Sequence, residues 1–236
     1  MNDTKSSKIR ALKAAFPHTI PILTGFMFLG MAYGVFMNAS GFHWLYPCII
    51  SLTVYAGSMQ FVAVNLLLGA FDPVGALMLT LMVNARHLFY GISMLEKYAP
   101  MDRIRPYLIF GLTDETFSIN STVEPPADVD RKQFYFFVTL LNQIYWVTGS
   151  TLGGIFGSLL DFNLEGLEFV MTALLLVIFL EKWMQQKKHH TALIGLGVTA
   201  LCLVLFGSEK FIIPSMLGIL GVLTFFRKPL ERVGDE

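Results

Sequence analysis

Three ionisable residues sit within apolar or interrupted apolar sequence: Arg86, Asp114 and Glu115. Of the 17 Lys and Arg residues, Arg86 alone falls near the middle of an apolar run. A cation at the centre of a bilayer costs about 2.5–3.5 kcal/mol on insertion scales, so it must face a partner or a cavity. Asp114 and Glu115 are partners by sign, and an Arg–carboxylate pair can be bidentate. Two adjacent buried carboxylates resist joint ionisation, so one of them can load and release a proton near working pH. In Asn84-Ala85-Arg86-His87, Asn84 and His87 share a helix face. These residues suit a substrate or coupling site. The competing reading is a structural ion pair for Arg86, and a wet, helix-capping loop for the carboxylates.

A second polar constellation is Tyr55-Ala56-Gly57-Ser58-Met59-Gln60. Gly57 and Ser58 weaken a helix, and Gln60 offers donors and an acceptor. A broken helix frees backbone groups that can hold a small polar ligand such as an amino acid. Close helix packing at Gly57, with Gln60 bonded to a neighbouring helix, explains the same residues structurally. Asn142 and Gln143 read as interhelical hydrogen bonds. His18, His43, His189 and His190 fall at boundaries and read as interfacial. Cys48 and Cys202 read as small core hydrophobes.

The elements around these residues are apolar. Of 236 residues 54% are hydrophobic and only 14% charged, with 17 acidic and 17 basic side chains. The 58 residues between Lys13 and Asp72 contain no Asp, Glu, Lys or Arg, long enough for two helical crossings. This excludes a soluble globular domain, a disordered chain and a nucleic-acid binder with a basic excess. The pattern predicts an all-α polytopic membrane protein forming one transmembrane domain, with seven or eight crossings. The expected spans are 16–37, 46–70, 74–95, a short or re-entrant 106–121, 133–157, 166–184, 191–207 and 211–226. Gly69 to Pro73 forms a turn, and Pro73 suits a helix start. Gly30 and Gly34 in the first span, and Gly149, Gly153 and Gly157 in a later one, make two small-residue faces for close helix approach. Two related halves with broken helices, divided near 122–132, fit the pattern.

Counting cations gives 12 inside and 4 outside for eight crossings with both termini cytoplasmic, Arg86 completing the 17, whereas a 106–121 that does not cross gives at best 11 to 5 with the basic N-terminus outside; the first is favoured. That count places Lys97, Arg103 and Arg105 opposite Arg131 and Lys132. No metal, cofactor or nucleophile motif occurs, so neither a cofactor nor catalysis is expected.

Ser51 to Phe61, Asn84 to Gly91 and Thr113 to Phe117 resemble the AzlC family of branched-chain amino acid exporters. The family's stretches read approximately S-x-x-x-x-A-G-x-x-Q-F, N-x-R-H-x-x-Y and T-D-E-x-F, and all three occur here in order. Pro17, Pro21, Gly25 and Gly34 look like the family as well. The resemblance implies proton-driven export of leucine, isoleucine, valine and similar amino acids across a bacterial cytoplasmic membrane. It also implies a small hydrophobic AzlD-type partner subunit. Carried onto this chain, it points to Gln60, Asn84, Arg86, His87, Asp114 and Glu115; the chemistry of the residues themselves assigns Gln60, Asn84, Arg86, Ser58, Gly57 and Tyr55 to substrate, and Asp114, Glu115 and His87 to proton coupling. An intramembrane enzyme and a non-transporting membrane subunit are the alternatives.

Overall fold

The computed structural model describes residues 2–159, 176, 179, 180, 183, 184 and 189–225. Most of the expected span 166–184, the loop at Asp161 and Glu165, and the cations Lys187, Lys188, Arg227, Lys228 and Arg232 lie outside the described residues. All regular elements among the described residues are helical. The chain divides into two compact units, Met1–Glu168 and Phe169–Glu236.

In the first unit, α1 (Asn2–Ala39) and α8 (Arg131–Leu159) form the stem. Their contacts advance together along both chains. His18 packs on Phe134, the Thr19 and Tyr145 hydroxyls are 3.1 Å apart, and Phe26 meets Trp146. Gly30 lies on the backbone of Trp146, Gly149 and Ser150, Gly34 on that of Ser150, Gly153 and Gly154, and Asn38 on Gly157. The helices therefore run parallel, and the two small-residue faces expected separately are one interface. A Cβ on Gly34 or Gly153 would land on opposing backbone, so only glycine permits this approach.

The expected span 46–70 is not a single helix. It forms two short helices, α2 (Leu45–Thr53) and α3 (Gly57–Leu68). α2 runs down α8, with Trp44 and Pro47 against Gly154 and the Leu52 carbonyl at Gln143. α3 climbs back: Gly57 abuts the Trp146 ring, while Phe61 packs on Tyr33 and Phe36. The Gln60 amide reaches Ser51, nine residues earlier, at 2.9 Å. A helix of 9 residues spans about 13 Å, half of a bilayer core of about 30 Å. The pair is thus a short hairpin. Its tip is Val54-Tyr55-Ala56, with Tyr55 at φ +48°.

After the turn at 69–72, α4 (Pro73–Ser93) begins where expected, capped by the Asp72 carboxylate on the Gly75 N–H. It descends to the base, where Met94, Tyr98 and Met101 pack with Ala11, Ala15, Phe134 and Tyr135. α5 (Leu95–Tyr98) and a 3-10 turn (Ala99–Ile104) cross the base. Residues 105–122 then form the re-entrant alternative: α6 (Arg105–Phe110) and α7 (Asp114–Thr122). Tyr107 reaches Gln143 and Gly111 meets Thr139, whereas Asn120 returns to Tyr98 and Ser121 to Lys97.

One long helix followed by a short hairpin thus occurs twice, in opposite directions. The second copy begins after the turn at 69–72. The base also overturns the cation count. Lys97 and Arg131 pair with Glu124, and Lys132 pairs with Asp102, so segments expected on opposite sides share one end. The physical reason is that the second hairpin returns to the end it left, where Asn120 meets Tyr98 and Ser121 meets Lys97.

The second unit contains α9 (His190–Lys210) and α10 (Ile212–Phe225), close to the expected spans. Its exposed face is apolar, with Leu193, Leu201, Val204, Leu205 and Leu217 uncovered. Among the described residues, Ser7–Ala39 and His190–Gly207 are long and apolar enough to cross a membrane. α8 is long but lined with amides, hydroxyls and glycines.

Candidate functional site

The two hairpin tips meet halfway along α8. Tyr55 and Phe110 pack with ring centroids 6.1 Å apart. Gln143 of α8 pins both: its Nε2 donates to the Leu52 carbonyl at 3.2 Å, and its Oε1 accepts from the Tyr107 hydroxyl at 2.8 Å. Asn142 donates to the Thr116 hydroxyl at 3.0 Å. Both amides make the interhelical bonds expected of them.

Beside the tips, Arg86 of α4 joins both hairpins. Its Nη1 lies 3.2 Å from Asp114 Oδ2, and its Nη2 donates to Ser58 Oγ at 3.1 Å. Asp114 and Glu115 open α7, where the partial positive charge of the helix start favours carboxylates. Thr113 caps that helix by accepting from the Thr116 N–H. Arg86 is 43% exposed and Asp114 15% exposed, so the pair is open on one side and can be reached. Asp114 Oδ1 and Asn84 Oδ1 are buried without a hydrogen-bond partner. Tyr90 stacks on Phe117 at 4.4 Å and flanks Asp114. Glu115 lies within electrostatic range of the Tyr55 and Tyr90 hydroxyls.

The remaining candidates are placed differently. Gln60 is buried, and its amide is engaged twice: Nε2 donates to Ser51, and Oε1 accepts from Trp146 Nε1 at 2.8 Å. Gly57 packs under the Trp146 ring. These two residues seat the first hairpin on α8. One ring nitrogen of His87 lies 3.3 Å from the Asn84 carbonyl, one turn back. Trp146 was not among the sequence candidates. Its only signal was an indole within an otherwise small and polar helix face.

The AzlC protein profile matches residues 21–160, which hold both hairpins and Arg86. The chain belongs to the AzlC family. A Bacillus subtilis relative, named branched-chain amino acid transport protein AzlC, is 63% identical over 222 residues, covering 94% of this chain and 87% of its own. An uncharacterized membrane protein of Haemophilus influenzae is 48% identical over 222 residues, 94% of this chain and 91% of that one. The inner membrane protein YgaZ of Escherichia coli is 29% identical over 145 residues, 59% of this chain and 58% of that one. No solved structure matches. In this chain the matched residues hold a glycine-locked stem and two opposed hairpins, with a guanidinium and a carboxylate where they meet.

Proposed function

We propose that the chain is a secondary transporter that exports leucine, isoleucine, valine and similar apolar amino acids by proton antiport. The observation that carries this is Arg86 bridging Ser58 of one hairpin and Asp114 of the other. A substrate carboxylate that takes the guanidinium competes with Asp114. Proton uptake by Asp114 or Glu115 weakens the same pair, so substrate and proton act on one latch. Asn84, Ser58, Tyr55 and the freed backbone at Gly57 border the path, with Gln60 shaping it and His87 beside it. Discrimination among the apolar side chains should be loose, because one methylene is worth only about 1–3 kcal/mol. The Bacillus subtilis relative's name supports the substrate class.

Placement in a bacterial cytoplasmic membrane has support from the relatives named as membrane proteins. In the first unit α1, α4 and α8 are taken as crossings, and the hairpins as half-depth elements. Of the ten cations in residues 2–159, nine lie at the base with the start of α1, and Arg86 is the tenth. That bias supports a cytoplasmic base and N-terminus. A small hydrophobic AzlD-type subunit is the proposed partner.

Labelled leucine efflux from proteoliposomes, with and without a pH gradient, tests the reading. The protein is assayed alone and with the small subunit. Gradient-stimulated efflux that falls in Glu115→Gln and Asp114→Asn is expected. No efflux under either condition overturns the reading.

A further inference from the structure

The mechanism above gives the substrate carboxylate a receptor and leaves its ammonium group without one. An ammonium brings three N–H donors and needs oxygen acceptors. At the tips, two such oxygens are buried and have no hydrogen-bond partner: the Tyr55 hydroxyl and Asn142 Oδ1. Tyr55 is 3% exposed and Asn142 fully buried. Unpaired buried polar atoms cost free energy and call for an explanation. Both converge on the first turn of α7. Asn142 donates to the Thr116 hydroxyl through its other amide atom, which leaves Oδ1 as the unused acceptor. The Tyr55 hydroxyl lies beside the Thr116 and Thr113 side chains, without meeting hydrogen-bond geometry to either, and near the Glu115 carboxylate. It is held there by a left-handed backbone that a bulky residue adopts only when its surroundings enforce it.

The Arg86 partner Asp114 stands on this same first turn, two residues before Thr116. The carboxylate receptor and the unpaired acceptors thus border one helical turn, the scale on which a zwitterion separates its charges.

We propose that the Tyr55 hydroxyl and Asn142 Oδ1 form the subsite for the substrate's α-ammonium group, beside the Glu115 carboxylate. This rests on the amino-acid transport reading. It assigns Asn142 a role in substrate recognition in addition to its bond to Thr116. The site then selects amines over isosteric acids, independently of how it selects side chains.

The test compares equilibrium binding of labelled leucine to the purified full-length protein with competition by isocaproate, which is leucine without its amine. The wild type should prefer leucine. Tyr55→Phe keeps the ring against Phe110 and removes only the oxygen. It should cut the leucine-to-isocaproate preference about tenfold or more, the usual range for a hydrogen bond to a charged group. Asn142→Leu, of similar volume, should do the same. The preference is a ratio within one protein, so a general loss of folded protein leaves it unchanged. A wild type that binds both ligands equally, or a preference that survives both substitutions, overturns the inference while leaving transport intact. A wild type that binds no leucine overturns the transport reading itself.

Discussion

Consider replacing Gly34 with alanine. The new Cβ would sit against the Ser150 carbonyl oxygen, the Gly154 nitrogen and, at 2.8 Å, the Gly153 carbonyl carbon, where ordinary contact is 3.4–4 Å. All three are backbone, so no side chain can rotate away. α1 and α8 must part by about an ångström along a close-packed seam. Overpacking of this kind costs typically about 1–3 kcal/mol. The upper end applies here because the seam is rigid on both sides. Alanine returns about 1 kcal/mol of helix propensity, leaving a net loss of about 2 kcal/mol. A Cβ on Gly25, nine residues earlier on the same helix, meets nothing within 4 Å. Gly25→Ala should therefore keep the propensity gain alone. At about 2–4 °C per kcal/mol for a chain of this size, the two variants should differ by about 6–12 °C. Gly30→Ala, whose Cβ would meet backbone at 3.0 Å, should fall between them. The assay is the midpoint of thermal unfolding in one detergent, with all variants at equal concentration. If Gly34→Ala melts within about 2 °C of Gly25→Ala, the parallel glycine seam is wrong.

Three further outcomes follow from the same geometry. Arg86→Lys keeps the charge but cannot hold Ser58 and Asp114 with two nitrogens of one planar group; proteoliposome efflux of leucine should drop at least tenfold. Gln143→Leu strips the Leu52 carbonyl and the Tyr107 hydroxyl of their shared partner. At about 1–3 kcal/mol for each buried group left unsatisfied, the unfolding midpoint should fall by several degrees, and protease should cut the hairpin tips sooner. At the base, the Lys97 hydrogen bond, and then the charges of Lys97 and Arg131, hold the Glu124 carboxyl below its ordinary range. A depressed carboxyl stabilises above its unfolded value and loses that contribution as pH falls through the lower folded value. Thermal midpoints measured downward from pH 6 should therefore decline more shallowly in Glu124→Gln than in the wild type. Parallel curves would show the network contributes nothing, as many exposed ion pairs do.

Some of this was legible in the residues. Charge sign and apolar surroundings single out Arg86 and pair it with the acidic couplet, and the structure joins it to Asp114. The small-residue spacing marks both seam faces. What spacing alone does not carry is which face meets which, because that contact spans more than a hundred residues. The break in the first hairpin was expected at Gly57 to Gln60, yet Gly57 starts α3 and the turn is Val54 to Ala56. Its left-handed residue is a tyrosine, so the usual glycine signal is missing. An apolar run of 25 residues also has the same composition whether it crosses or doubles back. Only the long-range bonds of Ser51, Gln60 and Gln143 distinguish the two.

The parallel seam also sets a timetable for assembly. Gly34 of α1 waits for Gly153, which is synthesised about 120 residues later. At about 5–20 residues per second, translation leaves that strip of bare backbone uncovered for roughly 6–24 s. The first hairpin waits as well, since its seat is Trp146 and Gln143 on the same late helix. The early elements are therefore inserted before their interfaces exist. α8, arriving last in the unit, closes the seam and both hairpins in one step.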